Sequence, residues 1–307
     1  MPRSRCRYSF MCLLLLVLVS SVLGAQQLPP GMKLAKIEVQ GSSLFTPDEI
    51  GKMSGLRTGQ DIDLAVLAKA ASTLAGWGYF AAVSFSYNYT GTNLTANFQI
   101  GDERKLLPAL FDNFVSIRDE EIREAIRQDY PFFAGKVPGA GTANEYIQGK
   151  VEKLLVQKGS PATVSFSEIT GIGQIQMVFR QDKETPVCAV RVQGVSGDAE
   201  SEILTAAAKL QKEPYSRQSI NQFMNTTLIP AARKHGYWRL ELQGTTALQD
   251  ASSCSSGATV LLRFNSGSVY SWGSAVWEGN QKQTTAKLEE LSGMQRGEIA
   301  NIAKIES

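Results

Sequence analysis

The chain is poor in the residues from which most enzymes and metal sites are built. Its 307 residues include one histidine and four cysteines, and two of those cysteines, Cys6 and Cys12, lie near the N-terminus. A zinc site of the usual ligands needs more His and Cys than that. A Ser-His-Asp triad would have to use His235, and no nucleophile-elbow motif accompanies it. His235 stands where a helical pattern ends, a place where a cation is favourable, and reads as a cap-region residue. An excess of one charge is missing too, with 31 Lys and Arg against 29 Asp and Glu. That balance speaks against nucleic acid as a partner, because phosphate binding needs a clear positive excess. Past the N-terminus no run is long and apolar enough to cross a bilayer as a helix. Gly171-Ile172-Gly173 joins two alternating runs and opens no helix, so it reads as a turn and not a phosphate loop. Asp119-Glu120-Glu121 reads as a helix N-terminus, where acids are stabilised. No catalytic residue, cofactor or metal is expected, and the chain does not read as an enzyme.

What is present begins with an address. Arg3, Arg5 and Arg7 form a basic region, Phe10 to Val19 is apolar, and Ser20 to Ala25 supplies small residues. The pattern predicts a secretory signal peptide over residues 1–25, cut near Gly24 or Ala25. The competing reading is a membrane anchor, for which the apolar run is short. No Cys stands at the cut, so a lipoprotein anchor is not supported. Cutting removes three basic residues and leaves the mature chain near neutral. Cys188 and Cys254 then remain, and in an exported chain two leftover thiols pair most simply with each other. Two separate buried thiols are the other possibility. A bridge requires the two Cα atoms to lie within about 7 Å.

The rest of the sequence repeats one order: strand, helix, helix, strand, strand. The first copy spans residues 33–101. Lys36-Ile37-Glu38-Val39-Gln40 alternates and stops at Gly41, and Thr46-Pro47-Asp48-Glu49 carries a capping box with Pro at the first helical position. A second helix, from about Asp61 to Ala75, would turn Leu64, Leu67, Ala71 and Leu74 inward and stop at Gly78-Tyr79. The runs Val83–Tyr87 and Leu94–Phe98 flank the hairpin signal Thr90-Gly91-Thr92-Asn93. A second copy spans 105–182, with a Gly/Pro-rich insertion from Tyr130 to Gly141, a second capping box at Thr142-Ala143-Asn144-Glu145, and Asn113-Phe114 where Gly would stand. A third spans 186–268, with Pro230 expected to kink its second helix. A fourth begins at 269 with a strand over Ser274–Asn280 and a helix opened by Thr284 or Thr285, and the sequence reaches 307 inside its second helix. The natural protein is expected to continue. The glycines Gly78, Gly159 and Gly236 mark a period of about 80 residues, long for a repeat. The expected fold class is α+β: tandem β-α-α-β-β repeats, each with two helices packed on a three-stranded mixed sheet. Polar links at Asp102 and Asp182 make bending between copies the expectation.

On these features the chain resembles the polypeptide-transport-associated (POTRA) domains, as found in the periplasmic arms of the BamA family of outer-membrane β-barrel assembly proteins. The residues carrying the resemblance are the Val-Gln-Gly endings at Gly41 and Gly194, the Thr46-Pro47-Asp48-Glu49 helix start, and the stops Gly78-Tyr79 and Gly236-Tyr237. The resemblance covers residue 33 to the end. It implies a periplasmic chain at the cell outer membrane, and a bacterial source in which the glycosylation-like patterns at Asn88, Asn93 and Asn225 are incidental. It implies as partners unfolded outer-membrane polypeptides, assembly-complex lipoproteins and a C-terminal membrane barrel missing from this chain. Binding would proceed by strand addition to an exposed edge, usually the second strand of the repeat. The implied edge residues are Ala82, Val83, Ser84, Phe85 and Ser86 in the first repeat, Thr163, Val164, Ser165 and Phe166 in the second, and Leu240, Glu241 and Leu242 in the third. A two-partner secretion transporter's arm and a free-standing periplasmic scaffold without a barrel are the other readings.

Overall fold

In the first repeat the alternating run Lys33–Gln40 forms strand β1, and Thr46 starts helix α1 (Pro47–Ser54). The Thr46 hydroxyl accepts from the Glu49 N–H at 3.4 Å and the Glu49 carboxylate accepts from the Thr46 N–H at 2.7 Å, so the expected capping box forms. Asp63 accepts from the Val66 N–H at 2.7 Å and opens α2 (Leu64–Gly76). Because the helix begins there, later than expected, its buried face is Leu67, Ala70 and Leu74, while Leu64 stands exposed in the first turn. Strands β2 (Phe80–Thr90) and β3 (Asn93–Asp102) close the repeat through a turn at Gly91-Thr92. The sheet order is β1-β3-β2, with β1 parallel to β3. Leu94, Ala96, Phe98 and Ile100 are buried, and the Phe85 ring lies 6.5 Å from that of Phe98.

This computed structural model describes residues 28–115, 117–131, 133–171, 173–249 and 257–306, so the expected signal segment lies outside it. The chain divides into two compact units, one holding the first repeat up to Leu74 with Ala82–Ile100, the other holding Ala75–Ala81 and the chain from Gly101 on.

The second repeat contains β4 (Leu106–Phe111), α3 (Asp119–Asp129), β5 (Lys136–Pro138), α4 (Thr142–Gln157), β6 (Val164–Thr170) and β7 (Ile175–Gln181). Its sheet has four strands, in the order β5-β4-β7-β6, where three were expected. The stretch read as an insertion supplies the extra strand, pairing antiparallel with β4 across Leu106↔Pro138, Leu107↔Val137 and Pro108↔Lys136. The expected capping box at Thr142 does not form. Gly141 holds the N-cap position without a side-chain bond, and the Thr142 hydroxyl donates to the Gly76 carbonyl at 3.3 Å instead.

The third repeat runs β8 (Val187–Gln193), α5 (Asp198–Ala207), α6 (Arg217–Phe223), α7 (Ile229–Arg233), β9 (Glu241–Gln249) and β10 (Ala258–Asn265), with sheet order β8-β10-β9. Pro230 has no N–H for the carbonyl one turn back. The helix widens instead into a π-helical segment over Met224–Leu228, where the Ile229 N–H reaches the Met224 carbonyl. In the fourth, α8 (Thr285–Ser292) starts on Thr284 as expected and α9 (Ile302–Glu306) comes after it. The strand expected over Ser274–Asn280 is not formed. In the other repeats the opening strand pairs with the closing strand (β1 with β3, β4 with β7, β8 with β10), and residues 269–306 include no closing strand.

A further contact recurs in every repeat. Isolated antiparallel bridges join Lys33 to Asp61, Pro186 to Pro214 and Ser271 to Ile299, always at the same separation in sequence. Pro108↔Lys136 has that same separation, so β5 is this bridge lengthened into a strand. Beside the bridge, the N–H groups of Gly59, Lys212 and Gly297 donate to the carbonyls of Leu34, Val187 and Trp272 at 2.7, 2.7 and 2.8 Å. All three donors are left-handed, with φ of 86°, 74° and 88°. Lys212 is the one non-glycine residue with positive φ among the described residues, held in that shape by a contact its counterparts make with glycine. Replacing it, Lys212→Gly, should raise unfolding stability by about 0.5–1 kcal/mol, the relief of the left-handed conformation exceeding the entropy that glycine gains in the unfolded chain. A urea melt reads this as a higher midpoint at unchanged slope, and an unchanged or lower midpoint would show that Lys212 is not strained.

Candidate functional site

Each of the three sequence-predicted strands stands at a sheet edge: β2, β6 and β9 are terminal in their sheets. On β2, Ala82, Ser84 and Ser86 are exposed while Val83 and Phe85 are half-buried toward the core side. On β6 the register identifies the free backbone groups. Thr163 and Asp182 form a hydrogen-bonded pair, Asp182 N–H to Thr163 O at 2.9 Å, just before the first ladder pair Val164↔Gln181. Antiparallel pairs alternate, so Ser165 and Ser167 bond inward to β7. The outward N–H and C=O groups belong to Val164, Phe166, Glu168 and Thr170. Thr163 itself precedes the strand. On β9 the ladder slips between Gly244 and Leu242, leaving Gln243 as a bulge. Bulges blunt an edge for pairing. Leu240 lies before the strand and is buried in the core, whereas Glu241 is exposed and Leu242 half-buried.

Just ahead of β6 lies a groove of about 1020 Å³, walled by α4 through Gly149, Glu152, Lys153 and Val156 and by Pro161, Ala162 and Thr163 of the segment that leads into the strand. Val156 is 62% exposed there, an apolar side chain that a bound chain could cover.

The second and third repeats are tied together by one carboxylate. Asp112 directly succeeds the last residue of β4, as Gly41 does β1 and Gly194 does β8. Its side chain is 1% exposed. One oxygen accepts from the Gln218 N–H at 2.8 Å and the Ser216 hydroxyl at 3.1 Å. The other accepts from the Ser216 hydroxyl at 2.9 Å and the Arg180 Nε at 2.8 Å. Arg180 also reaches the Gln218 amide oxygen at 2.5 Å. Asp112 and Ser216 together satisfy the free N–H groups of Gln218 and Ser219 in the first turn of α6. Nearby, Arg217 pairs with Asp119 at 2.6 Å, and Val115 joins the third repeat's core cluster. The Asn113 amide donates to the Gln181 carbonyl and accepts its N–H, both at 2.9 Å. The stretch around Asp182, read as a bending link, is therefore tied into the sheet and the junction.

The glycine stops pack against later parts of the chain. Gly78 and Gly236 have φ of 87° and 80°. A Cβ on Gly78 would overlap the Ala140 carbonyl oxygen, and the Trp238 indole donates to the Ala300 carbonyl at 2.7 Å. The Tyr79 hydroxyl donates to the Lys136 carbonyl at 3.1 Å, and burial pushes its phenol pKa up to about 12.

His235 does lie just past the end of α7, and its Nε2 is 2.6 Å from Glu202. Lys234 first and then His235 hold the Glu202 carboxyl below the usual carboxylate range. Among the described residues no cluster of His, Cys, Asp and Glu is arranged to hold a metal, and no helix is long and apolar enough to cross a membrane. Cys188 sits on β8, while Cys254 lies outside the described residues. Asp112, Glu152 and Val115 were missed from sequence. The one available signal was an acid directly after an apolar strand, at a position that is glycine in two other repeats.

Fold and edges define a class: a chain of β-α-α-β-β-type repeats, in three of which the strand after the second helix stands at a sheet edge. No protein-family model and no curated protein matches the sequence. Among solved structures the chain is similar to POTRA domains 3 to 5 of Haemophilus influenzae BamA, at 11% identity over 91% of this chain and 85% of that one, with a TM-score of 0.28. It is similar also to the N-terminal domain of Omp85 from the cyanobacterium Thermosynechococcus elongatus (11% identity, 77% and 98% covered, TM-score 0.27). A third likeness is to POTRA domains 1 to 3 of Omp85 from Anabaena (10% identity, 77% and 95% covered, TM-score 0.25).

Removing the junction carboxylate, Asp112→Ala, should cost roughly 1–3 kcal/mol, from a lost cap and a lost charge-assisted bond. It should also broaden the distance distribution between spin labels on α4 and α5, measured by pulsed electron resonance. A distribution as narrow as the unsubstituted protein's would show that Asp112 does not hold the junction.

Proposed function

We propose that this chain is a periplasmic polypeptide-binding arm that serves outer-membrane β-barrel assembly, taking up extended segments of unfolded outer-membrane polypeptides by strand addition. The observation that carries the reading is the recurrence of an edge position for the second strand in each of three sheets, with the N–H and C=O groups of Phe166, Glu168 and Thr170 turned away from β7. Backbone pairing is indifferent to client sequence, which suits an arm that must receive many β-barrel precursors. The half-buried Val83, Phe85 and Phe166 would give each joined strand a partly apolar neighbour. Accessory lipoproteins and a membrane barrel are the further partners of this reading, and the basic, apolar and small-residue pattern of residues 1–25 supports export.

Export also brings an oxidising compartment, and there Cys188 and Cys254 form a disulfide in this reading. Peptide mapping of protein purified from the periplasm without reductant should recover the two cysteines in one linked pair, and recovery of both as alkylated thiols would rule the bridge out. For strand addition itself, a photo-crosslinking residue at Ser84 or Ser165 should capture a urea-diluted, unfolded outer-membrane β-barrel protein several-fold more than one at Glu124 on a helix face. Equal yields at edge and helix would sink the proposal.

A further inference from the structure

The β6 edge is not fully open. The Val164 N–H, the first outward donor of the strand, is bonded to the Glu152 carboxylate of α4 at 2.9 Å. Gln148, one turn earlier, donates to the same oxygen at 3.4 Å and steadies it. Outward groups at Phe166, Glu168 and Thr170 remain. The arrangement belongs to this repeat alone among the three. At the same distance before the glycines Gly78 and Gly236 stand Ala71 and Ile229, whose side chains accept no hydrogen bond.

We propose that Glu152 is a gate on this edge. Its carboxylate stands in for the carbonyl of an incoming strand at Val164, so that a strand joins β6 from Phe166 onward and extends to Val164 only by displacing Glu152. The gate sets where pairing begins. It also keeps the edge from pairing along its whole length with a second copy of itself, as charged side chains do on other exposed edges. The occupant it admits is an extended polypeptide segment, because only a backbone supplies acceptors and donors at the spacing of Phe166, Glu168 and Thr170. A segment carrying Lys or Arg opposite Val164 can receive the displaced carboxylate and is favoured over a neutral one.

This inference rests on the strand-addition reading for its consequence, but its hydrogen bond can be tested without any partner. In amide hydrogen exchange on the full chain, Val164 should exchange slowly in the unsubstituted protein and in Glu152→Gln, whose amide oxygen can still accept. It should exchange as fast as Phe166 in Glu152→Ala, with circular dichroism showing that variant folded. Fast exchange at Val164 in the unsubstituted protein would overturn the gate. The consequence is read by fluorescence anisotropy with a labelled, uncharged peptide of alternating threonine, valine and serine, so that no lysine or arginine can pair with the displaced carboxylate. One hydrogen bond's worth of competition predicts about threefold to tenfold tighter binding to Glu152→Ala, and unchanged binding to Glu152→Gln. Equal affinity for all three proteins would overturn the gate. Binding to none of them, with slow exchange at Val164 intact, would overturn strand addition at β6 and leave Glu152 as an edge-protecting residue.

Discussion

A carboxylate with 1% of its side chain exposed has to be matched by donors, because an unpaired charge in such a place costs several kcal/mol. Asp112 is matched from both sides of a junction: by Arg180 of its own sheet, and by Ser216 and the Gln218 N–H of the next repeat's helix. Neither repeat alone offers the full set. Satisfying the carboxylate therefore means holding the second and third repeats together, and the Arg217–Asp119 pair and Val115 then fall into place around it. The presentation of the β6 and β9 edges depends on this constraint.

Each repeat is built by the same backbone logic before any side chain is considered. In the first three, an opening strand pairs in parallel with the closing strand, and the second strand is left outside. A short bridge then pins the segment before the second helix to the start of the opening strand. The bridge explains two features that otherwise look unrelated. One is the left-handed Lys212, and the other is the extra strand β5, where the same pairing is prolonged.

Much of this architecture is legible from local chemistry. The Thr46–Glu49 capping box, the turn at Gly91 and the alternation that makes β2 and β6 involve only neighbours in sequence, while the edge position of the second strand is what the resemblance to POTRA domains implied. The missed features involve distant partners. Asp112 meets Ser216 across 104 positions, and nothing near Asp112 announces it. Thr142 has the composition of a cap, yet the helix starts one residue earlier than a Thr142 cap requires, with Gly141 at the N-cap, and the Thr142 hydroxyl donates to the Gly76 carbonyl. The Ser274–Asn280 run alternates well enough for a strand, but a strand needs a partner and none stands among the described residues. Glu152 could be placed on its helix from sequence. That it reaches the Val164 amide depends on how α4 lies along β6.

The functional account places recognition in backbone groups and gives side chains the tasks of orienting repeats and limiting the edge. Amide hydrogen exchange with and without a saturating unfolded outer-membrane β-barrel protein tests that division most directly. Added protection should appear at Phe166, Glu168 and Thr170, with the exposed faces of α3 and α5 unchanged. Protection confined to those helix faces, with the β6 amides exchanging as before, would contradict it.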